Sequence, residues 1–146
     1  MLGREGENPR MRAWTTVSAC MASILLIADD AWVQNEVAAA IDDASTTVRH
    51  ETDPRMATTA AGESRYDVII IDMQVGSMGG VALIRALRDA INAGEVELTP
   101  MVLLLDRADD AFLAKRVDAA AFVTKPFTAQ ALRSALMGIH PAARGS

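Results

Sequence analysis

The stretch Asp67-Val68-Ile69-Ile70-Ile71-Asp72 sets four branched aliphatic residues in a row between two acids. A strand with one wet face alternates apolar and polar residues, so an unbroken run predicts a central parallel strand covered by helices on both sides. Similar runs flank it in the chain. Ile24-Leu25-Leu26-Ile27-Ala28 ends in Asp29-Asp30, Pro100-Met101-Val102-Leu103-Leu104-Leu105 ends in Asp106, and Ala120 to Thr124 ends in Lys125-Pro126. The β-branched segment Thr46-Thr47-Val48-Arg49-His50 supplies a fifth strand.

Between these runs the apolar spacing becomes helical. Val33, Val37, Ala40 and Ile41 mark a first helix, and an Ala-rich run from about Arg55 to Glu63, closed by Gly62 or a neighbour, a second. Val81, Ile84, Leu87 and Ile91 trace a third, and Phe112, Leu113 and Val117 a short fourth behind the helix-starting Asp109-Asp110. The last runs from Thr128, a plausible N-cap, through Leu132 and Leu136 to Gly138 and Pro141. Strict β-α alternation predicts an α/β fold with a five-stranded, doubly wound parallel sheet, because right-handed crossovers put helices on both faces. Ligands of such sheets bind outside the carboxyl ends of the strands.

The 146 residues suit one domain, and 51% apolar with only 4% aromatic content means an aliphatic core. The formal charge of −5, with scattered basic residues, gives no footprint for gripping nucleic acid. A lone cysteine, Cys20, excludes an intrachain disulfide framework and suits the cytoplasm. Val17-Ser18-Ala19-Cys20 is shaped like a lipoprotein cleavage box, but Glu5, Glu7, Arg10 and Arg12 leave no apolar segment before it. No run is long enough to cross a membrane. The expected organisation is a flexible tail over 1–21, one domain over 22–140 and a C-terminal tail over 141–146, with Met21-Ala22-Ser23 resembling a chain start.

Three of these strand ends, carrying Asp29-Asp30, Asp72 and Lys125, form the charged constellation of interest. Carboxylates gathered at one edge repel each other, and a hard, oxygen-loving cation such as Mg²⁺ together with a lysine offsets that repulsion. A carboxylate so placed is also a competent nucleophile toward a phosphoryl donor. His50 and His140 fall in a strand end and a tail and read as neither catalytic nor metal-binding, and Met73 and Met78 read as loop packing.

From Ser23 to Gly138 the chain resembles the receiver domains of bacterial two-component signalling. The resemblance rests on Ile24 through Asp30, on Val68-Ile69-Ile70-Ile71-Asp72 followed by Gly79-Gly80, and on Phe122-Val123-Thr124-Lys125-Pro126-Phe127. Asp29 and Asp72 lie 43 positions apart, and Asp72 and Lys125 lie 53 apart, both fitting the family. The resemblance implies a flavodoxin-like (βα)5 receiver fold and phosphorylation of Asp72 by a histidine kinase or phosphotransfer protein. It implies Mg²⁺ held by Asp29, Asp72, the Gln74 backbone carbonyl and, in a second register, Asp30. Lys125 would pair with the phosphoryl oxygens, and Lys125-Pro126 would be cis. The chain would then be a stand-alone response regulator, a phosphoacceptor with at most residual self-phosphorylation or dephosphorylation chemistry. It would signal to a downstream protein, with the fourth helix, fifth strand and fifth helix as a homodimer or adaptor face containing Ala119, Ala121, Phe122 and Ala129.

The sequence departs from the family pattern at several places. The first of the usual paired acids is Ala28, which predicts weaker metal binding; a one-residue slip would make the pair Asp29 and Asp30, but spacing favours the first register. Leu105 stands where the family places a switch hydroxyl, and Asp106 after it reads as an exposed loop acid that would repel an aspartyl phosphate if aimed inward. Phe122 replaces the switch tyrosine, and Val75-Gly76 the Met-Pro after the acceptor. These departures support an alternative, a pseudo-receiver working as an interaction module without phosphate. A flavin-binding protein of the same sheet would want a hydroxyl- and glycine-rich loop where Asp29-Asp30-Ala31-Trp32 stands.

Overall fold

The computed structural model describes residues 22–41, 46–76 and 79–139. The expected N-terminal tail with Cys20, Met78, His140, Pro141 and the C-terminal tail lie outside the described residues. Among the described residues five strands alternate with five α-helices. They are β1 (Ala22–Ile27), α1 (Ala31–Ile41), β2 (Thr46–Glu51), α2 (Ala57–Glu63), β3 (Val68–Asp72), α3 (Gly80–Asn92), β4 (Met101–Leu105), α4 (Ala111–Arg116), β5 (Ala121–Thr124) and α5 (Ala129–Met137).

All pairings are parallel and the order is β2-β1-β3-β4-β5, so β3 is central, as its unbroken apolar run requires. Period-two alternation divides the strand side chains between two layers. Leu25, Ile27, Ile69, Ile71, Met101, Leu103 and Leu105 meet α2, α3 and α4. Ile24, Leu26, Val68, Ile70, Val102, Leu104 and Val123 meet α1 and α5. On α1 the buried residues are Val33, Val37, Ala40 and Ile41, the four whose spacing marks the helix in the sequence.

The differences from expectation are local. A 3₁₀ turn, Pro54–Met56, precedes α2, capped by the Asp53 carboxylate accepting from Arg55 N at 2.9 Å. The helix α2 ends at Glu63, next to Gly62, as expected, with Gly62 itself in its last turn. A β-carbon there would lie 3.0 Å from Glu95 O, so this glycine admits a neighbouring loop. A second 3₁₀ turn, Ala108–Asp110, precedes α4. Thr128 caps α5 as expected, its hydroxyl accepting from Ala131 N at 3.0 Å. Arg88 of α3 donates through Nε to Val117 O at 3.1 Å and through Nη2 to Asp118 O, holding the turn that leads into β5.

Candidate functional site

The ends of β1, β3 and β5 place the three charged residues singled out by sequence. Asp72 closes β3 with only 1% of its side chain exposed, and its Oδ1 accepts from Lys125 Nζ at 2.6 Å and from Gln74 N at 3.3 Å. Lys125 follows β5, which is separated from β3 by β4, so its side chain spans the intervening strand. The Lys125-Pro126 bond is cis.

Asp29, exposed beyond β1, accepts through Oδ2 from Gly76 N at 2.9 Å and so fastens the loop after β3. Asp30 turns elsewhere: its Oδ1 accepts from Trp32 N at 2.8 Å, capping α1 as side-chain oxygens do for orphan helix N–H groups. The β1–β3 register ends at Ile27 paired with Ile71, so Ala28 leaves β1 just as Asp72 closes β3. Ala28 is wholly buried, and its carbonyl accepts from Gln34 Nε2 at 2.8 Å.

Asp106 corrects the reading of an exposed loop acid. Its Oδ1 lies 2.8 Å from Lys125 Nζ, with 26% of its side chain exposed. Alternation explains the inward turn: Leu105 is buried in the layer beneath α3 and α4, so the next residue points away from that layer. Lys125 N also donates to Leu105 O at 2.7 Å, which sets Lys125 and Asp106 side by side. Burial works against the Lys125 charge, but the bonds to Asp106 and Asp72 outweigh it and hold the ammonium above the ordinary lysine range.

Leu105 is fully buried, and Phe122 is 38% exposed beside a groove of about 380 Å³ lined by Ala119, Ala121, Ala135 and Ile139. Trp32, whose role the apolar spacing does not reveal, has its ring centroid 5.8 Å from that of Phe127, next to the Lys125-Pro126 bond. Its position two residues after Asp30 was the available signal.

The family described as response regulator receiver domain matches residues 24–137. This chain belongs to that family. The receiver is 33% identical to the regulatory protein VanRB of Enterococcus faecalis over 106 residues, 71% of this chain. It spans only 46% of that relative's length. Among solved structures it is similar to the chemotaxis protein CheY4 of Vibrio cholerae, with 28% identity, a TM-score of 0.69, and coverage of 80% of this chain and 97% of that one. The receiver domain of the sensor histidine kinase PA1611 from Pseudomonas aeruginosa, described with a magnesium ion in its active-site cleft, shares the fold at 22% identity and TM-score 0.67, over 81% of this receiver and 95% of that chain. Receiver domains are signalling modules of two-component systems, generally not enzymes, and interact with histidine kinases and downstream effectors. Among the described residues no helix of the receiver is long and apolar enough to cross a membrane.

Proposed function

We propose that the protein is a response-regulator receiver that accepts a phosphoryl group on Asp72 from a histidine kinase or phosphotransfer partner. The observation that carries the reading is the 2.6 Å contact between Lys125 Nζ and Asp72 Oδ1 at a strand end where the carboxylate is 1% exposed. A carboxylate held at a strand end with a fixed cation beside it is placed to attack a phosphoryl donor while that cation offsets the incoming charge. In the transfer a carboxylate oxygen of Asp72 attacks phosphorus, the new P–O bond forms as the donor's P–N bond breaks, and the departing imidazole takes up a proton. Lys125 stays within reach of the phosphoryl oxygens and offsets their charge.

The donor set fits a hard divalent cation. Asp29 Oδ1 and Asp72 Oδ2 have no hydrogen-bond partner among the described residues, and both are oxygens of the kind such ions prefer. No group of three or more acidic, His or Cys side chains that could hold a metal occurs among the described residues, so water would complete the shell, as is usual for Mg²⁺. Asp29, Asp72 and the Gln74 backbone carbonyl would hold Mg²⁺, which when bound neutralises charge on the transferring group. Output passes by protein contact through the α4-β5-α5 face, whose small alanine-lined groove beside Phe122 suits a homodimer or adaptor. The lone Cys20, which suits a reducing compartment, supports a cytoplasmic site of action.

The test is incubation with Mg²⁺ and acetyl phosphate followed by intact mass. A phosphate-sized gain that disappears in Asp72→Asn supports the reading, and no gain at millimolar donor refutes it. The second reading, a pseudo-receiver acting as an interaction module without phosphate, is favoured by the fully buried, hydroxyl-free Leu105 at the end of β4.

A further inference from the structure

Lys125 divides its single positive charge between two carboxylate partners before any phosphoryl group arrives. Its Nζ lies 2.6 Å from Asp72 Oδ1 and 2.8 Å from Asp106 Oδ1, and its side chain is 13% exposed. The arrangement is built in, because the backbone bond from Lys125 N to Leu105 O fixes β5 against β4 just where the two side chains begin. An ammonium has three protons. Two already serve carboxylates, and Leu105 offers no hydroxyl that could receive a phosphoryl oxygen in its place.

We propose that Asp106 is a positioning residue that holds Lys125 and competes for it with a phosphoryl group on Asp72, limiting how much phosphate the site retains. The inference rests on Asp72 being the acceptor. Acyl phosphate formation exchanges a carboxylate of one negative charge for a group of nearly two, while Asp106 keeps its own charge on the same ammonium. Like charges gathered about a single cation in a partly dry site disfavour the more charged state. Asparagine at 106 keeps the shape and a hydrogen-bonding oxygen but removes the charge, so Lys125 becomes available to the phosphoryl oxygens.

The experiment compares the whole chain with Asp106→Asn, Asp106→Ala and Asp109→Asn, all with Mg²⁺ and sub-saturating acetyl phosphate, reading the phosphorylated fraction by intact mass. A carboxylate oxygen of Asp72 attacks phosphorus and acetate leaves with the electron pair of the broken P–O bond. Asp109 is exposed in the same loop, so its replacement makes the same change in net charge away from Lys125. Both Asp106 variants are expected to raise the ratio of phosphorylated to free protein about tenfold, the scale on which one neighbouring charge biases a partly buried acid. Asp109→Asn should follow the wild type. Equal or lower labelling of both Asp106 variants, with the wild type labelled, overturns the inference and leaves Asp72 as acceptor. Labelling of none of the four overturns both.

Discussion

Lys125 Nζ reaches across β4 to lie 2.6 Å from Asp72 Oδ1, linking two strand ends that share no backbone hydrogen bonds. Replacing Lys125 by Met removes that bond and the one to Asp106, and leaves two acids facing each other. Hydrogen bonds to charged groups contribute about 1.5–3 kcal/mol, and the expected loss of stability falls in that range. Urea unfolding should show a lower midpoint with an unchanged slope.

The same pairing gives a pH signature. With the folded-state pKa of Lys125 raised above the ordinary 10.5, its contribution is fully present below that value and is lost as pH rises through the folded pKa. The stability difference between wild type and Lys125→Met is therefore expected to be level from neutral pH to about 10 and to narrow above it. Urea titrations at stepped pH check this, and a difference that widens on the alkaline side would contradict it.

Much of this architecture is legible in the sequence because it depends on periodicity. Four aliphatic residues before Asp72 announce a central strand, and Val33, Val37, Ala40 and Ile41 announce the inner face of α1. The convergence of Asp72 and Lys125 follows from topology once the strands are placed. The inward turn of Asp106 was not legible, because it depends on the register between Lys125 and Leu105, two segments far apart in the chain. The end of α2 at Glu63, beside Gly62, was legible, but the second reason for that glycine was not, because only the packed structure reveals Glu95 O beside it.

Gly80 begins α3 directly beneath the acceptor strand. A β-carbon there would meet Leu103 Cδ1 at 2.9 Å, Asp72 O at 3.0 Å and Met73 Cα at 3.0 Å. Two of these are backbone atoms and yield poorly. Overpacking typically costs about 1–3 kcal/mol, more than the gain of up to about 1 that alanine brings to a helix. Gly80→Ala is therefore expected to lower the melting temperature and to lower acetyl phosphate labelling as the Asp72 backbone shifts.

Thr128 caps the helix that follows the Lys125-Pro126-Phe127 turn. Thr128→Ala should cost about 0.5–2 kcal/mol, with the serine variant retaining most of the stability. A melting temperature unchanged in the alanine variant would show that the cap contributes nothing.

The strand order also limits how the molecule can meet copies of itself. The two outermost strands are poor templates for a sixth: β5 is only four residues long, and β2 carries Arg49, His50 and Glu51 in succession. Short or charged borders of this kind discourage ribbon-to-ribbon stacking and the fibrous growth it seeds. Growth of the sheet from one copy into the next is thereby blocked at both borders, which leaves the helical flanks as the surfaces open to any partner.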